Sequence, residues 1–142
     1  MFRSFFILIF LIFITFSDIR CYKIPDVLVF SLMLFLLSYD IGHAFELTFY
    51  NILCAVFFFA IFYVLYRCTK GIGFGDVKLI TVLSYGLGFF NLVFIIFISA
   101  LLGLAYFAVN VNKSIRRIPF APFLLLGFLL LKFKDFFVYV FM

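Results

Sequence analysis

The feature that most limits the fold is an alternation running from Phe2 to Phe141, in which long apolar runs are separated by short polar or charged turns. Charged residues make up 12% of the chain and hydrophobic residues 69%, with 27 Phe, so the surface of a water-soluble core could not be covered. The chain is therefore read as all-α, a polytopic membrane bundle in contact with the lipid bilayer, and residues 1–142 as a single membrane-embedded domain. A spanning helix takes about 20 apolar residues, fewer where the bilayer thins. On that measure six spans are expected: Phe2 to Ser17, Pro25 to Tyr39, Leu47 to Tyr66, Val77 to Phe90, Asn91 to Val111 and Pro119 to Leu131. The second, fourth and sixth are short. Merging the fourth and fifth would need one helix from Val77 to Val111, longer than tilt accommodates, and Gly86-Leu87-Gly88 offers a turn. The terminal Phe136–Phe141 stretch is read as interfacial or as an extension of the sixth span.

The net charge of +5 does not point to nucleic acid, because the bases fall in short clusters between apolar runs and form no continuous face. Their placement reads as topology. Arg20 and Lys23 follow the first span, Arg67 and Lys70 the third, and Lys113, Arg116 and Arg117 the fifth, so these loops are expected on the cytoplasmic side. The loop with Asp40, His43 and Glu46 carries no Lys or Arg and belongs on the other side; Lys132 and Lys134 are the only bases against this orientation. Cys21, Cys54 and Cys68 are odd in number and lack a CxxC spacing, which argues against a disulfide framework or zinc site and for small apolar fillers. The first run lacks a small-residue cleavage site and is expected to stay in the chain.

Within this frame the stretch Lys70-Gly71-Ile72-Gly73-Phe74-Gly75-Asp76-Val77-Lys78 stands out. An acid in mid-bilayer costs about 2.5 to 3.5 kcal/mol on insertion scales, so a carboxylate kept close to it calls for a use. Asp18 ends the first span on the face where Asp76 opens the fourth, and the two are expected to meet. Two carboxylates about 4 Å apart repel by about 4 kcal/mol at an effective dielectric of about 20, or about three pKa units, so one keeps a proton near neutral pH. That pairing suits acid–base hydrolysis of an amide without metal or cofactor. Asp76 begins a helix and Asp18 ends one, so the helix dipoles place the shared proton on Asp18.

Each residue also has a plainer reading. Asp76 is a natural helix N-cap and Asp18 a solvated loop acid beside Arg20. Gly71, Gly73 and Gly75 supply positive φ and close backbone approach, or form a simple loop; the spacing is not that of a P-loop. Asp26 after Pro25 is read as a helix cap. Asp40 lies across the membrane from Asp76, about 30 Å away, which argues against that pair, and the lone His43 is assigned no role. Pro119 and Pro122 break or start the last helix. Lys23, Lys70 and Lys78 are read as anchors or, for Lys78, as shaping the site together with Pro25, Gly73 and Gly75.

These residues together resemble the type IV prepilin peptidases, integral-membrane aspartic proteases with a Gly-x-Gly-Asp motif. The match is carried by Asp18 with Ile24-Pro25-Asp26, where Asp26 replaces the usual asparagine, by Gly73-Phe74-Gly75-Asp76-Val77-Lys78-Leu79, and by Ile118-Pro119-Phe120-Ala121-Pro122. The resemblance implies a catalytic Asp18/Asp76 pair and, as substrate, the short basic leader of a type IV prepilin-like precursor, cut at the cytoplasmic face of the inner membrane. No region with the CxxC motifs of the methyltransferase segment is present, so the resemblance is to the short, peptidase-only form. The competing reading is a non-catalytic polytopic protein, a transporter subunit or assembly scaffold. A transporter is expected to place polar groups near mid-membrane, and none of the six acids is expected there.

Overall fold

The computed structural model describes residues 2–21, 23–43, 45–69, 72–109 and 119–141. They form six helices: α1 (Phe2–Cys21), α2 (Asp26–His43), α3 (Phe45–Thr69), α4 (Phe74–Leu87), α5 (Phe89–Val109) and α6 (Ala121–Phe141). The expected third basic cluster, Lys113, Arg116 and Arg117, lies outside the described residues, as do Lys70, Gly71 and Ile118. Six apolar runs thus become six helices. Three stretches, Arg3–Cys21, Thr48–Thr69 and Phe89–Val109, are long and apolar enough to cross a membrane. Of the rest, α4 has 14 residues, about 21 Å at 1.5 Å per residue, against a hydrocarbon core of about 30 Å. α6 is not short: its 21 residues run past the expected end at Leu131 to Phe141, but they carry Lys132, Lys134 and Asp135.

The boundary between the fourth and fifth runs falls at Gly88, not at Phe90 and Asn91. Gly88 takes φ 78°, a left-handed conformation that costs glycine least, and its N–H closes the end of α4 on the Ser84 carbonyl at 3.0 Å. An uncharged corner of this kind is set by backbone chemistry alone.

The short α4 is the centre of the bundle. Val77, Leu79, Ile80, Val82, Leu83 and Tyr85 are all buried, the pattern of a helix surrounded on every side. α3 packs most closely against it with Ala55 and Phe58 buried, α2 adds Val29, Leu32 and Leu36 and α1 adds Ile7, Leu11 and Ile14, while α6 sets Leu124, Phe128 and Leu131 into the same core from beside α1 and α5. The opposite faces are also apolar: Phe13, Phe30, Phe97 and Phe107 are exposed, an exterior suited to lipid. Lipid is as apolar as these side chains, so close packing has to hold the helices together, and small residues allow it. A methyl group at Gly127 of α6 would lie 2.9 Å from both the Ile95 carbonyl oxygen and Ser99 Oγ of α5. Ser99 fills that seam by donating to the carbonyls of Ile95 (2.6 Å) or Phe123 (2.9 Å).

One end of the bundle is fastened by a partly buried ion pair. Arg3 Nη1 lies 3.2 Å from Asp40 Oδ1, and Arg3 Nη2 donates to the Tyr85 carbonyl at 2.9 Å, joining α1, α2 and α4. Asn51 Nδ2 of α3 donates to the other Asp40 oxygen at 3.4 Å. Asp40, 1% exposed, is therefore a structural anchor at the far end from Asp76, in keeping with the expectation that the two do not pair. With the start of α1 and the ends of α2 and α4 gathered here, the end of α1 and the starts of α2 and α4 share the other end.

Candidate active site

At that other end, Asp18 and Asp76 line one cleft of about 500 Å³ together with Lys23, Ile24, Pro25, Asp26, Gly73, Phe74, Gly75 and Lys78. All the sequence-expected residues, the pair Asp18 and Asp76 with Pro25, Gly73, Gly75 and Lys78, are brought together there. Each is positioned by a helix end. Asp18 sits in the last turn of α1 and is buried. Asp76 lies in the first turn of α4, three residues after Gly73, the N-cap, whose φ and ψ are −72° and 143°. At this third position a carboxylate can reach back to the cap, and the Gly73 backbone hydrogen-bonds to Asp76. Asp76 is therefore not the N-cap, which is Gly73, but a first-turn acid that reaches back to it from a position open to the cleft.

The glycines act differently from expectation. Among the described glycines only Gly88 has positive φ, so Gly73 and Gly75 supply close approach and not a left-handed turn. A Cβ at Gly73 would lie 3.1 Å from Asp76 Oδ2, and one at Gly75 would lie 3.1 Å from Ile24 Cβ. Gly73 makes room for the carboxylate itself; Gly75 lets the α1–α2 turn close against α4.

Two partners were not legible in the sequence. Asp18 Oδ2 accepts a hydrogen bond from the N–H of Ala121 at 3.1 Å, at the start of α6. The Pro119-Phe120-Ala121-Pro122 turn thus presents an unpaired helix N–H to the acid, a role for which the two prolines were the only signal. Asp26 is the first residue of α2, after Pro25, whose carbonyl accepts from Leu28 N (3.1 Å). It is not a cap: its Oδ1 pairs with Lys78 Nζ at 2.8 Å across to α4. Lys78 also lies over the Phe74 ring, 4.8 Å from its centroid, at the rim of the cleft. Of the cysteines, Cys54 alone is a buried filler, while Cys21 and Cys68 are exposed.

The electrostatics separate the two acids. Asp76, outside the three spanning-length helices, is pushed up to about 6, first by burial and then by the charge of Asp18, with the Gly73 hydrogen bond acting against both. Asp18 closes α1 and also faces the start of α6, where it accepts the Ala121 N–H. Burial and the neighbouring charge thus let Asp76 hold a proton near neutral pH, which the dipoles of α1 and α4 alone did not indicate. Among the described residues no group of His, Cys, Asp and Glu could hold a metal ion.

Fold and site together define an all-helical membrane protein with two acids in one cleft at a single end of the bundle. A family model described as the type IV leader peptidase family matches residues 5–108, and the chain belongs to that family. Comparison with curated proteins and with solved structures finds no match. The family makes the chain a prepilin-type leader peptidase.

Proposed function

We propose that the chain is a multi-pass aspartic endopeptidase of the inner membrane, cutting the basic leader of prepilin-like precursors at the cytoplasmic face, with Asp18 and Asp76 as the water-activating pair. The observation that carries this reading is that both acids line one cleft while the charge of Asp18 helps hold the Asp76 proton on. Ionised Asp18, held by the Ala121 N–H, removes a proton from water as the oxygen attacks the scissile carbonyl. Protonated Asp76 gives its proton to the carbonyl oxygen, forming a gem-diol. Asp76 then takes a proton back from the diol as the C–N bond breaks, and Asp18 passes its proton to the departing amine. Both acids return to their starting states, and no covalent intermediate forms.

Lys23, at the cleft, belongs to the first basic loop, and that loop's charge supports a cytoplasmic cleft. The test is cleavage of a pilin-like precursor in membranes by Asp18→Asn and Asp76→Asn. Each substitution should reduce cleavage at least about 100-fold, the lower end of an acid–base contribution. Processing retained by either variant at wild-type rate contradicts the pair and favours a scaffold.

A further inference from the structure

Among the described residues, three buried polar side-chain atoms have no hydrogen-bond partner: Arg3 Nε, the Tyr85 hydroxyl and Thr15 Oγ1. The first two belong to the end of the bundle anchored by Asp40. Thr15 does not. It lies in α1 three residues before Asp18, and both are buried, Thr15 with 8% of its surface exposed. We infer that Thr15 is a positioning residue for Asp18, its hydroxyl holding the carboxylate, directly or through one water, during hydrolysis. The inference rests on the proposed peptidase reading.

A hydroxyl in a helix ordinarily closes on a carbonyl of its own preceding turn. Ser38, Thr69, Thr81 and Ser99 do so, each donating to the carbonyl four residues back at 2.6 to 2.8 Å. Thr15 is different, and a buried hydroxyl left without a partner costs stability, which calls for a use. Helix geometry selects the acceptor. Residues three apart on a helix have Cβ atoms about 5 to 6 Å apart, and helical side chains tilt towards the N-terminus. The Asp18 carboxyl therefore leans over the turn that carries Thr15, which puts the hydroxyl within direct or one-water reach. The acid also has room for it. A carboxylate accepts at about four sites over its two oxygens, and the Ala121 N–H serves Oδ2 at 3.1 Å. The two donors come from α1 and from the start of α6, so together they fix the orientation of the carboxyl where it lines the cleft.

The test uses the full chain in nanodiscs, a pilin-like precursor as substrate, and two variants. Thr15→Val keeps the shape and removes the hydroxyl; Thr15→Ser keeps the hydroxyl and removes a methyl. The valine variant should lose about tenfold or more in kcat, the loss expected for a hydrogen bond to a charged group, with KM little changed. Its unfolding temperature should hold or rise, because a buried hydroxyl without a partner has been removed. The serine variant should keep most of the wild-type kcat. A wild-type kcat in Thr15→Val overturns the inference and leaves the Asp18 and Asp76 pair standing. So does a Thr15→Ser variant as slow as Thr15→Val, which would make the methyl group the part that matters. No cleavage by wild type overturns the peptidase reading and this inference with it.

Discussion

Replacing Gly73 by Ala isolates what the glycine does for Asp76. The backbone there, at φ −72° and ψ 143°, suits alanine, so no conformational strain is added. At a helix N-cap the exchange of glycine for alanine costs a few tenths of a kcal/mol to about 1 kcal/mol, so the fold should survive. The added methyl would sit 3.1 Å from Asp76 Oδ2, and the carboxylate, the end of a flexible side chain, has to move by a few tenths of an ångström. A displacement of about 1 Å in an active site costs about 100-fold, so a shift of this size should lower kcat about 3- to 10-fold. The same shift weakens the hydrogen bond from Gly73, the one influence that lowers the Asp76 pKa. On the proposed mechanism the hydrolytic form needs the Asp76 proton, so kcat/KM should fall as pH rises through about 6. In Gly73→Ala this alkaline limb should move to higher pH. The assay is a pH series of precursor cleavage in detergent, with thermal unfolding as the control. An alkaline limb at the wild-type position together with an unchanged kcat would refute the proposed contact between glycine and acid.

Other consequences follow from the packing. Arg3→Met strands the buried Asp40 carboxylate and should cost about 3 to 5 kcal/mol in a detergent-unfolding titration, with much of the loss recovered in the double variant Arg3→Met, Asp40→Leu. Gly127→Ala drives a methyl against the Ile95 backbone and Ser99, for an expected loss of about 1 to 3 kcal/mol by the same assay; unchanged stability would show that α5 and α6 do not pack so closely. Asp26→Asn removes a rim ion pair whose carboxylate is 68% exposed, so stability should change by less than about 1 kcal/mol. A larger loss would mean the pair holds α2 to α4 and does not merely border the cleft.

Periodic apolar runs were enough to predict six helices, because lipid and core both demand apolar residues and only the breaks between runs carry information. The same counting put Asp18 and Asp76 at one end, since an even number of crossings lies between the end of α1 and the start of α4. What the sequence could not show was set by contacts across the bundle. The Ala121 N–H is a backbone group without a side-chain signature, and it alters the balance between the two acids. Asp26 and Lys78 are 52 positions apart, and Arg3 meets Asp40 across two helices, so neither pair has a local pattern. Gly73 and Gly75 were legible as special positions, but their reason, a missing Cβ against Asp76 and Ile24, needs the neighbours to be in place. The uncharged corner at Gly88 was misplaced by two or three residues because apolar sequence continues on both sides of it.

The most direct test is a ¹³C-carboxyl NMR titration of Asp76 in the intact protein and in Asp18→Asn. If the two acids share one site, Asp76 titrates near 6 in the wild type and at lower pH once the Asp18 charge is gone. The same titration curve in both proteins would mean that Asp76 does not sense Asp18, and the pair on which hydrolysis depends would not exist.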